Sequence, residues 1–284
     1  METKQFRGGL NILPPDERDF SLGGVFGVEK DLPLEFIVTG AEKLKVKNQG
    51  SSDLCSAYAL CSCSELQEEV ELNPEFNFAF SKYLQGGDIN SFGCDLRTAS
   101  KSAVIYGSVE QQQYLLNWKS KGTTRDWKNW GEEFIKFAEP HKKQSYFRAD
   151  LGIGNKFDLL KSAMYQHDSA IISGMNWKYS QCPNGIITPN DYQGMGHAIT
   201  LIGWTVINEK EHLIIHNSIG LGGDNGRWYL PRDMVDELYF GNYIFVDLPR
   251  ETAQKYSENG ININDNWFIK LYKIIKTFLW TQFK

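Results

Sequence analysis

Residues 46–60 read VKNQGSSDLCSAYAL, and this stretch places Cys55 where a turn passes into a helix. A glycine and two serines form the turn, whereas the residues after the cysteine are good helix formers with no glycine or proline among them. Ala57, Leu60 and Cys61 recur at the spacing of one helix face, which predicts a buried helix that begins near Cys55. The partial positive charge of a helix N-terminus favours the thiolate, the form of cysteine that attacks carbonyl groups. Taken alone, however, a free cysteine is more often a small buried apolar residue than a nucleophile.

Composition limits the class of protein. The chain has 284 residues with a formal net charge of −5, which does not favour nucleic-acid binding. It contains no apolar run near the ~20 residues of a membrane span and no apolar core of a signal peptide near its start. The five cysteines are odd in number, so reduced thiols and a cytoplasmic, reducing location are expected. Zinc binding is disfavoured because Cys61 and Cys63 would point to different faces of one helix.

The pattern along the chain divides it into three parts. Residues 1–31 are rich in glycine and proline and predict an extended N-terminal arm. Residues 32–250 form the main domain. Residues 251–284 read as a polar linker followed by an aromatic, basic tail.

The sequence pattern of the main domain predicts an α+β fold. In its first half, apolar periodicity and capping residues predict helices from Asp95 to Gly107 and from Asn155 to His167. From Ala170 onward, β-branched and aromatic runs alternate with turn residues, which predicts an antiparallel sheet with a hairpin near Asn208. A helical left half would then meet a β-rich right half along a cleft. Residues 108–150 give no clear pattern.

Two further polar residues stand at strand ends. His197 follows a Gly-Met-Gly turn and opens a predicted strand, and Asn217 ends the next predicted strand in the run LIIHNS. An amide on a strand paired with that of His197 could bond the imidazole and fix its tautomer, leaving the other nitrogen for the thiol. Taken singly, the structural readings, a core histidine and a turn asparagine, are the commoner ones.

Several segments together resemble the papain and cathepsin family of cysteine peptidases. The nucleophile segment 46–60 is followed by GMGHAITLIGW at 194–204, similar to the histidine strand of that family, and by HNSIGLGGDNGRWYLP at 216–231, similar to its asparagine turn. LNPEFNFAF, SFGCDLRTASKSAVIYG and DLLKSAMYQHDSAIISG resemble the intervening stretches. The resemblance covers about residues 30–248 in the right order.

The resemblance implies a set of roles. Cys55 is the nucleophile, His197 its base, Asn217 orients the base, and Gln49, six residues before Cys55, belongs to the oxyanion hole. The implied substrate-binding residues are Gly196, Asp95 and Leu96, with Gly196 near an apolar or permissive specificity pocket. No metal or organic cofactor is implied.

The sequence departs from the family at several positions. The cysteine expected three residues before the nucleophile is Ser52, so Cys94 lacks its usual disulfide partner. Ile219 stands where the family has a tryptophan that covers the histidine–asparagine pair. The paired glycines that line the cleft are replaced after Cys94 by Asp95-Leu96-Arg97. Residues 1–31 do not match the long helical propeptide of the family, so regulation is either absent or lies elsewhere.

The predicted function is therefore hydrolysis of peptide bonds in a protein or peptide substrate through a thioester acyl-enzyme. Two alternatives stay open: a papain-like acyltransferase or isopeptidase, and an inactive papain-like binding module. The tail at 266–284 carries four lysines and no acidic residue on a pattern typical of an amphipathic helix. It predicts docking to a membrane surface or a protein, unless it packs on the acidic surface of its own domain.

Overall fold

A computed structural model describes residues 8–13, 16, 19–119, 122–177, 182–189 and 195–246. The linker and tail at 251–284 lie outside the described residues, so the docking prediction for 266–284 stays a prediction. Within the described part, no helix is both long enough and apolar enough to cross a membrane.

Helices make up most of the first half of the described chain. They are α1 (Leu22–Phe26), α2 (Cys55–Glu68), α3 (Pro74–Leu84), α4 (Leu96–Ile105), α5 (Gln111–Asn117), α6 (Glu132–Ala138) and α7 (Lys156–His167). The predicted cap at Asp95 is confirmed, because its carboxylate accepts from Thr98 N at 2.7 Å. Asn155 caps α7 in the same way, since its amide oxygen accepts from Asp158 N at 2.9 Å.

The strands form one antiparallel sheet. They are β1 (Phe36–Ile37), β2 (Ser145–Arg148), β3 (Ile171–Trp177), β4 (Met195–Ile207), β5 (Lys210–His216), β6 (Arg227–Pro231) and β7 (Asn242–Val246). Their order in the sheet is β2-β7-β3-β4-β5-β6, and β1 pairs with β4. The predicted hairpin is confirmed: Asn208 and Glu209 have φ of 50° and 62°, which is the left-handed backbone of a tight two-residue turn between β4 and β5.

The sheet separates two apolar clusters. One face packs on α2, with Leu60 of the helix and Ala198 and Ile202 of β4 in a single buried cluster. A second cluster contains Phe157 and Leu160 of α7 together with residues of α1 and the sheet. The predicted α+β fold, with the helical half against the antiparallel half, is confirmed.

The prediction of an extended N-terminal arm is wrong in part. Leu22–Phe26 form a short helix despite Gly23 and Gly24, because Ser21 caps it by accepting from Gly24 N at 3.1 Å and Leu22 and Val25 are buried. Tertiary burial therefore outweighs the low helix propensity of the two glycines. Leu10, farther upstream, is also buried and belongs to the cluster under α2.

The stretch that gave no pattern folds around aromatic rings. Trp130 and Phe134 pack against Phe76 and Phe80 of α3, with Trp118 at 4.6 Å from Trp130 between ring centroids. These rings meet only in the folded chain, so the local sequence of 108–150 carries no period that predicts α5, α6 or β2.

Candidate active site

The loop before α2 sets Cys55 as the first residue of that helix. Its turn depends on Gly50, whose φ of 58° lies in the left-handed region that favours glycine. Asp53 fastens the loop to its neighbours: its carboxylate accepts from Gly93 N at 2.7 Å and from Arg125 Nη1 at 2.6 Å. The nucleophile candidate thus stands on a loop that is held from two sides.

Cys55 is fully buried, at 0% exposure. Burial raises the pKa of its thiol to about 11, while the backbone N–H groups of Ala198, Gly9 and Ser56, which face the sulfur, act in the opposite direction. Ala198 directly follows His197, so the sulfur lies against the start of strand β4. In this conformation the thiol is therefore neutral at physiological pH.

His197 lies on β4 opposite Met175 of β3 and is also 0% exposed. Its Nε2 lies 2.7 Å from Oδ1 of Asn217. The same Oδ1 accepts from the backbone N–H of Ser218 at 2.8 Å, which identifies it as the oxygen and makes Nε2 the donor. The tautomer is thereby fixed, and Nδ1 is the nitrogen that can take up a proton.

Burial also sets the charge of the imidazole. It lowers the pKa of His197 to about 4, and the bond to Asn217 offsets only part of this effect. Cys55 and His197 are therefore both neutral in this structure, rather than a thiolate and an imidazolium. The reactive ion pair requires more water than this conformation admits.

Gln49 lies beside this pair through contacts that the sequence did not predict. Ser218 Oγ donates to Oε1 of Gln49 at 2.7 Å, and Nε2 of Gln49 donates to the carbonyl of Ser52 at 2.9 Å. A backbone bond from Gln49 N to Ser218 O, 2.8 Å long, joins the same two segments. Ser218 thus fixes which end of the amide faces the Cys55 loop. Ser218 lies 169 positions from Gln49 along the chain, and no local signal in the sequence indicated this contact.

The predicted substrate-binding residues have different surroundings. Asp95 is buried, and its carboxylate is occupied by capping α4 and by accepting from Gln85 Nε2 at 2.9 Å. Leu96 belongs to the cluster that contains Leu10 and Cys55. The carbonyl of Gly196 accepts from Leu10 N at 3.0 Å. All three are near the site, but their role in substrate binding stays a prediction.

The N-terminal segment Gly8–Asn11, called here the cleft segment, lies directly over the site. Leu10 pairs with Cys94 in a parallel bridge, with Cys94 N donating to Gly9 O at 2.9 Å and Asn11 N donating to Cys94 O at 3.2 Å. A methyl group at Gly9 would lie 2.1 Å from Asp53 O, and one at Gly93 would lie 1.9 Å from Gly9 O. Two glycines therefore let the backbone pass this close to the Cys55 loop.

Comparison with solved structures shows the fold. Xylellain, a cysteine protease from Xylella fastidiosa, superposes with a TM-score of 0.69 at 19% identity, over 87% of this chain and 98% of xylellain. The chain has the papain-like fold. Procathepsin B S9 from Trypanosoma congolense shares this fold with a TM-score of 0.58 at 13% identity, over 85% of this chain and 86% of that one.

Comparison of sequences also finds a relative. A protein named cysteine protease from Blomia tropicalis is 25% identical over 220 residues, which are 72% of this chain and 62% of that protein. This chain thus spans less than two thirds of the relative's length. No family model matches the chain.

The buried histidines predict a loss of stability in acid. Burial lowers the pKa of His216, like that of His197, to about 4, and the charges of Arg227 and Lys47 lower it further. Below an unfolded-state pKa of about 6.5 the unfolded chain binds more protons than the folded one, so stability falls as the pH drops from about 6.5 toward 4. We expect each histidine to cost about 2–3 kcal/mol at pH 4.5.

The measurement is the thermal unfolding midpoint at pH 7.5 and at pH 4.5, for the natural chain and for His216→Gln. The variant removes one of the two groups, so its midpoint should fall less on acidification. Parallel pH dependence in the two proteins would contradict the role given to His216.

Proposed function

We propose that this chain is a cysteine endopeptidase that hydrolyses peptide bonds of protein or peptide substrates. One observation carries the proposal: a cysteine at a helix N-terminus lies against the strand of a histidine whose Nε2 is held by an asparagine at 2.7 Å. That is a nucleophile, a base and a group that orients the base. The likeness to the Blomia tropicalis protein named cysteine protease supports it.

The roles follow from the geometry. Nδ1 of His197 takes the thiol proton, and the sulfur of Cys55 attacks the carbonyl carbon of the scissile bond. The oxyanion develops near the backbone N–H of Cys55 and the amide of Gln49, whose orientation Ser218 fixes. Collapse expels the amine, which takes the proton from the imidazolium and leaves a thioester. Water, deprotonated by His197, then releases the carboxylate and restores the thiol.

The position of each group supports its role. Asn217 accepts from Nε2, so Nδ1 is the nitrogen assigned to take up the thiol proton, and the second contact of Asn217, with Ser218 N, holds the amide in place. Gln49 is 5% exposed and joined to the Asn217 turn by side-chain and backbone bonds, so the oxyanion donor and the base are held by one structural unit.

The decisive experiment is covalent labelling with a peptidyl epoxide that reacts with thiols. The full chain is incubated overnight with the epoxide under reducing conditions, and the modified residue is mapped by mass spectrometry. Cys55 should carry the label, while Cys63, buried in the same helix, should not. Labelling spread over several cysteines, or confined to another one, would argue against the assignment.

We propose a reducing compartment as the location. The described cysteines Cys55, Cys61, Cys63, Cys94 and Cys182 are all free thiols. Three of them make hydrogen bonds as thiols: Cys61 Sγ donates to Asn77 Oδ1 at 3.5 Å, Cys63 Sγ to Ala170 O at 3.0 Å and Cys94 Sγ to Asp95 O at 3.3 Å. These contacts favour an environment in which the thiols stay reduced.

A further inference from the structure

An open groove lies on the helical half of the molecule, between the end of α2 and helix α5. Its volume is about 490 Å³. Leu115 and Leu116 of α5 line it and are 69% and 68% exposed, and Val70 lines it from the side of α2. Neighbouring exposed apolar side chains beside a groove form a patch of the kind that marks an interaction surface, unlike apolar residues scattered singly.

The fold of α5 does not require these two leucines. The helix is anchored by Tyr114 and Trp118, whose ring centroids lie 5.6 Å and 4.6 Å from that of Trp130. Residues 114 and 118 are about one turn apart and share the face that packs on the aromatic cluster. Leu115 and Leu116 therefore point away from that cluster, and their apolar surface is left for contact with a further segment.

Acidic side chains border the groove. Glu71 and Glu110 line it, and Glu69, which is exposed, comes directly before Val70. The carboxylate of Glu71 bonds Lys45 at 2.7 Å, with the two side chains 39% and 71% exposed. An ion pair this exposed contributes little to stability, so the carboxylate can take a new partner. The groove thus fits an occupant whose apolar face is flanked by basic side chains.

The segment 266–284 of this chain has that chemistry. It contains four lysines and no acidic residue. Drawn as a helix, it places five apolar residues on one face: Leu271, Ile274, Ile275, Phe278 and Leu279. Lys270 and Lys276 flank this face, whereas Lys273 and Lys284 lie on the opposite side. A helix that docks by its apolar face would bring only the first two lysines to the rim of the groove.

The described chain ends close to the groove. Val246 pairs with Ser145, whose Oγ donates to Val246 O at 2.8 Å. On the same segment as Ser145, His141 Nε2 lies 3.3 Å from the carboxylate of Glu110 at the rim. The roughly 20 residues between Val246 and the basic segment can span about 60 Å when extended. The connection is therefore long enough for the segment to reach the groove of its own chain.

We propose that residues 266–284 dock as an amphipathic helix in the groove between α2 and α5 of their own chain. The apolar face of the helix lies on the two leucines of α5, and Lys270 and Lys276 lie beside the rim carboxylates. The proposal is independent of the peptidase chemistry. A second copy of the chain in the groove, or an anionic membrane that binds the segment, gives different results in the experiments below.

Site-specific crosslinking tests where the segment lies. The photoreactive residue benzoylphenylalanine is introduced in place of Leu116 in the full chain, and crosslinked peptides are mapped by mass spectrometry in a mixture of light and isotopically heavy chains. We expect crosslinks from position 116 to residues 266–284 of the same chain. The same residue in place of Ile153, which is 97% exposed, is the control and should not crosslink to 266–284. Light-to-heavy products, or crosslinks that miss 266–284, overturn the proposal.

Hydrogen exchange measures how firmly the segment is held. The amides of 266–284 should be protected in the natural chain, and Leu115→Asp should raise their exchange rate roughly 10- to 100-fold, because losing one buried leucine contact shifts a docking equilibrium by about that factor. Ile153→Asp is the matched control and should stay within about twofold. Amides that are unprotected in buffer and become protected only with vesicles of phosphatidylserine and phosphatidylcholine would assign the segment to a membrane and overturn the proposal.

Two charge-reversal pairs test the orientation of the docked helix. Lys270→Glu with Lys276→Glu should raise the exchange rate of the 266–284 amides about fivefold, because both carboxylates would face the acidic rim. Lys273→Glu with Lys284→Glu changes the net charge by the same amount on the opposite side and should stay within about twofold. Equal effects of the two pairs would overturn the proposed docking, since they indicate a general attraction between a basic segment and an acidic protein.

Discussion

Cys55→Ala is expected to remove peptide hydrolysis down to the assay background, a loss of at least about 1,000-fold in kcat/KM. In the proposed mechanism this residue supplies the sulfur that forms the acyl-enzyme, and loss of a nucleophile from a catalytic unit costs nearly the whole chemical step. Hydrolysis of mixed fluorogenic peptides is measured in the full chain, and a thermal unfolding curve of each protein is the control for folding.

The matched control is Cys63→Ala. Cys63 lies in the same helix, is equally buried and belongs to the same apolar cluster as Cys55. Both substitutions remove one buried sulfur and should lower stability by a similar small amount, about 1 kcal/mol. Only Cys55→Ala should lose activity. If a folded Cys55→Ala protein hydrolyses peptides as fast as Cys63→Ala, the nucleophile has been assigned to the wrong residue.

The places of the candidate site residues in the fold could be predicted because part of their signal is local. Cys55 follows a turn and opens a run of helix formers, and Asp95 and Asn155 have the side chains that cap helices. His197 and Asn217 lie at strand ends that the alternation of apolar residues marks. The contact between them, 2.7 Å from Nε2 of His197 to Oδ1 of Asn217, could be predicted only from the order of several segments that resemble a known family, because neither residue is diagnostic alone.

Other features of the site depend on contacts between distant segments. Ser218 bonds Gln49 across 169 positions. Gly8 and Gly9 read as breakers of regular structure, yet Gly9 serves a close approach: its Cα passes where a side chain would overlap Asp53 O. The glycines indicated only that the arm is extended, whereas Leu10 within it is buried and its N–H donates to Gly196 O at 3.0 Å. Local propensity says nothing about which backbone a glycine approaches.

Two loops near the site are held together by hydrogen bonds. The resemblance to papain and the cathepsins implies a disulfide between the positions of Ser52 and Cys94, and Ser52 cannot form it. Asp53 and Gly93, the next residues on each side, are joined instead by a hydrogen bond of 2.7 Å. Arg125 completes the link, since it bonds Asp53 through Nη1 and Nη2 and the carbonyls of Ile89 and Ser91 through Nε and Nη2. A charge-assisted network thus holds the two loops without an oxidised bond.

The electrostatics agree with a structural role for this network. Burial raises the pKa of Asp53, but the bonds from Arg125 and Gly93 N–H outweigh it, so the pKa lies below its ordinary value. The guanidinium of Arg125 also lies 4.7 Å from the ring centroid of Phe78 in α3. The carboxylate therefore stays ionised at neutral pH and keeps its partner in place.

Asp53→Ala should accordingly lower the free energy of unfolding by about 2–3 kcal/mol. The substitution leaves Gly93 N–H without its acceptor and Arg125 without its counter-charge. Because the Arg125 side chain is 29% exposed, the loss of stability is smaller than for a fully buried ion pair. For a chain of this length the thermal midpoint should drop by about 5–10 °C. Glu42→Ala, at an exposed position, is the control and should stay within about 1 °C.

A double-mutant cycle separates the link from the loss of a side chain. In an Arg125→Met background no guanidinium is left unpaired, so Asp53→Ala should cost clearly less there, by about 1–2 kcal/mol. Asp53→Asn should fall between the natural chain and Asp53→Ala, because the amide oxygen can still accept from Gly93 N–H but carries no charge. Equal costs of Asp53→Ala in the two backgrounds would mean that the carboxylate and Arg125 act independently. The bonds at 2.6 Å and 3.2 Å would then not be what holds the two loops together.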